Sequence, residues 1–138
     1  MLTNEHEIED FLATIQNNCI ELSMMKNSSN VIEKCLQKST TFLQAFVMKV
    51  CTNKTISELI RNSYANYVVQ TALKVAKGEL KVVLINEIEN NLNMLGEKKL
   101  INKWKSILTL NIIEYGNQKD DNNTGLDRLQ VRKNESGI

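Results

Sequence analysis

Two triplets of side chains in this 138-residue chain have the types and spacing to recognise a flat, hydrogen-bonding ligand. Ser29, Asn30 and Glu33 make the first; Asn66, Tyr67 and Gln70 make the second, each set at positions i, i+1 and i+4. A hydroxyl beside a carboxylate is rich in acceptors, whereas two amides mix donors with acceptors. In each set the middle side chain is planar, an amide in one and a phenol ring in the other. An aromatic among polar neighbours is the unusual member. It suits a surface on which something flat stacks.

The two triplets sit in variants of one segment, N-S-S-N-V-I-E-K-C-L from Asn27 to Leu36 and S-Y-A-N-Y-V-V-Q-T-A-L from Ser63 to Leu73. Aligning Ser29 with Asn66 gives an offset of 66 − 29 = 37 residues. Periods of that size mark helical repeat arrays, whose units bury their apolar faces against one another. At about 100° per residue, Ser29, Asn30 and Glu33 share a polar arc, and Val31, Ile32, Cys35 and Leu36 take the opposite one. The second copy repeats this, with Val68, Val69, Ala72 and Leu73 apolar. Each helix is therefore expected to pack through one face and to present its triplet outward, all six side chains on one exposed concave surface.

These residues resemble the Pumilio (PUF) repeat family of RNA-binding proteins, in which S-N-x-x-E or N-Y-x-x-Q lies on the second helix of a three-helix repeat. The resemblance spans roughly Ile8 to Leu95 and implies an all-α, right-handed solenoid. It implies that Ser29 and Glu33 hydrogen-bond the Watson–Crick edge of a guanine, Asn66 and Gln70 that of a uracil, and that Asn30 and Tyr67 stack on bases. Repeats that each read one base with two or three side chains are an established mode of single-stranded RNA recognition. In that family the order of these two repeats is typical of the last two of eight, which read 5′-UG at the start of a UGUA core. The implied role is post-transcriptional control of messenger RNA in the cytoplasm, through 3′ untranslated elements and decay or translation factors, with no cofactor. The chain departs from the pattern at Asn27, where an aromatic is usual, at Ser28, and over 95–108, where a Tyr-Gly-Lys-like motif is not matched.

The expected organisation follows the repeat frame. Residues 1–17 are the last helix of a preceding repeat, 18–52 and 53–95 the two full repeats, 96–116 a capping helix, and 117–138 a disordered tail rich in Asn, Asp and Gly at its start. Helices are expected over Glu7–Asn17, Cys19–Met25, Ser28–Lys38, from Thr40 or Thr41 to Cys51, Thr55–Arg61, Ser63–Lys77, Glu79–Leu95 and Glu97–Asn111. Thr40 or Thr41 would cap one of them, Thr55 and Glu58 would form a capping box on the next, and Gly78 would end the second recognition helix. Trp104 reads as a core or cap aromatic. Ile8, Phe11, Leu12 and Ile15 leave an apolar face at the N-terminal end, as expected for part of a longer array or a truncated relative. Two repeats on their own should unfold readily or self-associate there.

Composition excludes other classes. Net charge is +1, but Asn53 to Lys105 holds nine Lys or Arg against five acids, while Met1 to Thr52 holds four against six. The basic half is where a phosphate backbone would run, although solvated helix faces carry such excesses as often. One histidine, His6, and three widely spaced cysteines, Cys19, Cys35 and Cys51, do not suit a metal centre. No phosphate-binding loop or nucleophile–base set points to an enzyme, and no apolar run is long enough to span a bilayer. A helical-repeat module that binds protein, with Tyr67 as an interface anchor, and a non-binding remnant remain alternatives. Matching triplets in successive repeats favour base reading.

Overall fold

With no proline and only five glycines, little in the chain interrupts helix. The computed structural model describes residues 5–122. Eight α-helices follow in order among them: α1 (Glu5–Asn17), α2 (Cys19–Ser23), α3 (Ser28–Lys38), α4 (Thr40–Asn53), α5 (Ile56–Arg61), α6 (Ala65–Val75), α7 (Gly78–Asn91) and α8 (Lys98–Asn122). A 3₁₀ turn, Leu92–Leu95, joins the last two. The architecture is an all-α solenoid. Two three-helix units, α2–α3–α4 and α5–α6–α7, stack side by side, and α8 closes one end.

Short polar devices set the helix boundaries. Ser39 caps α4, its hydroxyl accepting from the Phe42 amide at 3.1 Å, so the cap lies one residue before the expected Thr40. Asn62 opens α6 by accepting from the amides of Tyr64 and Ala65, each at 2.9 Å. The capping box expected at Thr55 does not form: its side chain makes no cap hydrogen bond, and Glu58 is exposed. Gly78 does not terminate α6 either. That helix ends at Val75, where Ala76 turns extended, and Gly78 begins α7 with φ +61°, a conformation glycine adopts without strain. Gly96, with φ +77°, ends the 3₁₀ turn. The helix α8 continues through Asn122, six residues past the expected cap boundary, so residues 117–122 belong to it; the remainder of the expected tail lies outside the described residues.

The core is a continuous layer between the helices. Ile32 and Leu36 of α3 meet Val68, Val69, Ala72 and Leu73 of α6, backed by Phe42, Phe46 and Val50 of α4 and by Leu84 and Ile88 of α7. The most extensive helix pairing is α3 with α6. Trp104 is fully buried and Leu108 nearly so, fixing α8 to the layer. Polar clips tie each unit to the segment beside it: Lys49 Nζ of α4 donates to the Asn17 carbonyl at the end of α1 at 2.8 Å, and the Arg61 guanidinium of α5 donates to the Met94 carbonyl in the 3₁₀ turn.

Equivalent positions of the two units differ in one instructive way. Val68 is fully buried, but its counterpart Val31 is 43% exposed, although both were expected on the apolar arc. Cys35 is likewise more open than Ala72. Residues 31 and 35, one helical turn apart, lie on the flank of α3 whose equivalent on α6 is covered by packing. Among the described residues, that flank of α3 stays open. Phe11, 52% exposed, is open as well, and Ile15 beneath it is buried; the side chains of Ile8 and Leu12 lie outside the described residues.

One lysine is misplaced by ordinary rules. Lys81 of α7 is fully buried, and its Nζ has no hydrogen-bond partner. Burial pushes its pKa below the ordinary value of 10.5, while the charge of Glu114 partly opposes the shift.

Two stability predictions follow from these contrasts. Val68→Ala should cost roughly 1.5–3 kcal/mol, whereas Val31→Ala should stay within about 0.5 kcal/mol; urea unfolding of both variants checks this, and equal costs would refute the open flank. Lys81→Met should stabilise the fold at neutral pH by about 1–3 kcal/mol. Because the folded state binds the Lys81 proton less tightly than the unfolded one, wild-type stability rises with pH between the lowered pKa and about 10.5. The advantage of the methionine variant should therefore shrink over that interval, as measured by unfolding at stepped pH.

Candidate nucleic-acid interface

Both helices that carry a triplet, α3 and α6, start with a triplet residue that turns inward. Ser29 is 4% exposed and Asn66 is 8% exposed, which corrects the expectation that all three side chains of each triplet face outward. The cause is local. Ser29 Oγ donates to the Lys26 carbonyl at 3.2 Å, and Asn66 Nδ2 donates to the Asn62 carbonyl at 2.7 Å, so both are occupied at the helix entry. The middle residues of the two triplets do face outward. Asn30 is exposed, and Tyr67 is 56% exposed. Glu33 and Gln70 are half-buried.

The last residues of the two triplets meet in one place. Glu33, Tyr67 and Gln70 line a single cavity of about 300 Å³, of the size that ligand pockets begin at. Ser29, Asn30 and Asn66 are not part of its lining. Two hydrogen bonds organise the floor. Thr71 Oγ1 donates to Glu33 Oε1 at 2.5 Å, joining the two units across the groove. Gln70 Nε2 donates to Asn66 Oδ1 at 3.2 Å, joining the ends of one triplet. A carboxylate held this way keeps acceptor capacity on its second oxygen, and the amide of Gln70 keeps its carbonyl free.

Sequence reasoning missed the contributors from outside the triplets. Thr71 follows Gln70 directly, yet its role depends on facing Glu33 from the neighbouring unit. The opposite wall belongs to α8, through Ile107, Leu110, Asn111 and Glu114. Lys74 completes the lining from α6, and Lys103 Nζ lies 5.9 Å from the Tyr67 ring centroid. The groove thus mixes flat, apolar and hydrogen-bonding surface with two carboxylates, Glu33 and Glu114, and two nearby cations, Lys74 and Lys103. Its flat and hydrogen-bonding parts suit nucleobases.

The sequence matches the family model of the Pumilio-family RNA binding repeat over residues 18–50 and 56–89. The chain belongs to the Pumilio family. These two matches coincide with the two three-helix units. Pumilio homolog 12 of Arabidopsis thaliana is 36% identical over 87 residues, covering 62% of this chain and 15% of that protein. A pumilio domain-containing protein of Schizosaccharomyces pombe is 32% identical over 89 residues, covering 64% and 13% respectively. Among solved structures, PUF-8 crystallised in complex with PBE-RNA superposes with a TM-score of 0.64 at 27% identity, over 81% of this chain and 33% of that one. The chain therefore spans only a small part of these relatives' length.

Among the described residues no group of three His, Cys, Asp or Glu side chains is placed to hold a metal ion, and no helix is long and apolar enough to cross a membrane. Burial raises the thiol pKa of Cys19 above its ordinary value, with Lys49 partly opposing, and burial raises those of Cys35 and Cys51. All three therefore stay protonated, and weakly nucleophilic, at neutral pH. In the folded protein Cys19, fully buried, should resist a thiol reagent such as DTNB until denaturant is added. Prompt reaction of three thiols per chain under native conditions would contradict this.

Proposed function

We propose that this Pumilio-family chain binds single-stranded RNA in a sequence-specific way, reading a 5′-UG dinucleotide of a UGUA-type element. The observation that carries the reading is the convergence of Glu33, Tyr67 and Gln70, from two successive recognition helices, on one groove. Glu33, with Ser29, takes the donor-rich edge of guanine. Gln70, with Asn66, takes uracil, whose edge mixes donor and acceptor as amides do. Tyr67 and Asn30 stack on the bases. To engage a base, Gln70 exchanges its bond to Asn66 and Glu33 shares its carboxylate between Thr71 and the ligand. Those are exchanges of one hydrogen bond for another, so they cost little.

The wider role we infer is post-transcriptional: attachment to 3′ untranslated elements of messenger RNA in the cytoplasm, with decay or translation factors recruited alongside. Two repeats contact few bases, so affinity in isolation is low and grows in the context of further repeats.

Base preference tests the reading. Replacing Ser29 by Asn and Glu33 by Gln makes the first triplet resemble the second, and preference should move from UG toward UU by roughly 1–3 kcal/mol. Position 29 should tolerate Asn, since its equivalent Asn66 sits buried in the same helix position. Tyr67→Ala should instead weaken binding to every sequence by roughly 1–3 kcal/mol. Both are measured with the two repeats grafted into a longer array of known register. An unchanged base preference in the double variant would show that these residues do not read the base.

A further inference from the structure

The stacking residue is contacted from an unexpected direction. Tyr67 is 56% exposed, so core packing does not hold its ring in place. Lys103, a residue of the cap and not of either repeat, carries its ammonium over that ring at 5.9 Å from the centroid. This separation is within the range over which a cation is attracted to the electron-rich face of an aromatic.

Lys103 is well placed to do this reproducibly. The next residue, Trp104, is fully buried and anchors the same turn of α8. Along one flank of that helix, Lys103 is followed by Ile107, Leu110 and Glu114, the last three lining the groove, at spacings of four, three and four residues. The flank of α8 that faces the recognition helix is thus a continuous wall, with Lys103 at its start.

We propose that Lys103 is a positioning residue of the RNA groove: from the cap helix it occupies one face of the Tyr67 ring and leaves the other face for a base. This rests on the proposed reading of Tyr67 as a stacker. Two physical consequences follow. A ring braced on one side loses less freedom when a base arrives, which lowers the entropic cost of binding. A cap residue also becomes part of the RNA site, so the cap contributes to affinity without reading a base.

The test combines ring-current NMR with a double-mutant cycle on the whole 138-residue chain. Without RNA, the Lys103 side-chain methylene protons should be shifted upfield, and Tyr67→Leu should abolish the shift. Chemical-shift titration then uses an eight-nucleotide single-stranded RNA beginning 5′-UGUA. Lys103→Met should weaken binding about two- to fivefold when Tyr67 is present and have almost no effect in the Tyr67→Leu background. Lys103→Arg should restore affinity, because a guanidinium also stacks on an aromatic face. Equal losses in both backgrounds, with the salt slope reduced by about one, would make Lys103 a phosphate contact and overturn the inference, as would no loss at all. Binding by the wild type without the upfield shift overturns this inference alone. A shift with no binding of the RNA even at about 1 mM, where weak complexes still register by chemical shift, overturns the proposed reading of the groove, and this role with it.

Discussion

Everything that positions the groove depends on the lateral packing of α3 against α6. Ile32 and Leu36 on one side, and Val68, Val69, Ala72 and Leu73 on the other, leave water almost completely. Burial of a large aliphatic side chain is worth roughly 1.5–3 kcal/mol, and that is ample to fix two short helices that would be marginal alone. Once the two are parallel neighbours, residues 37 positions apart come to equivalent places on one surface. The periodicity of the sequence thus becomes a periodicity of side-chain positions in space. The same packing leaves the outer flank of α3 open at Val31, since each unit covers one flank of the next.

Two hydrogen bonds hold the polar floor of the groove while leaving acceptors open to a ligand. Glu33 is held from the adjacent unit by Thr71, and Gln70 is held within its own triplet by Asn66. A hydrogen bond to a charged group contributes about 1.5–3 kcal/mol where water is excluded, and less where it is not. In this half-buried setting its larger effect is to limit the carboxylate's orientations before a ligand arrives. The inward-turned Ser29 and Asn66 close the helix entries, so these positions serve the fold and the surface together. An aliphatic residue there would leave backbone carbonyls without their side-chain donors.

The cap does more than cover apolar surface. Through Trp104 and Leu108 it seals the end of the second unit, and through its other flank it walls the groove. Its packing surface is not optimised: Lys81 of α7 lies wholly buried against this region without a hydrogen-bond partner. A buried amine of that kind costs stability relative to an apolar side chain of similar length. The nearby carboxylate of Glu114, itself a lining residue of the groove, offsets part of the cost.

The sequence by itself determined the repeat, its helical nature and the boundaries of α3, because hydrophobic periodicity and spacing are local properties of the chain. It also marked Trp104 as a core or cap aromatic, and the residue is fully buried. It could not tell Val31 from Val68, which have the same local pattern and differ only in what packs beside them. Nor could it assign caps among Ser39, Thr40 and Thr41, where neighbouring hydroxyls compete and backbone direction decides. Gly78 was misplaced for a similar reason, since a left-handed glycine serves at the start of a helix as well as past its end. The burial of Ser29 and Asn66, the bond from Thr71 to Glu33, and the approach of Lys103 to Tyr67 were decided by tertiary structure alone. Each joins groups whose meeting depends on how two helices are set against each other, and no helical period of the chain encodes that angle.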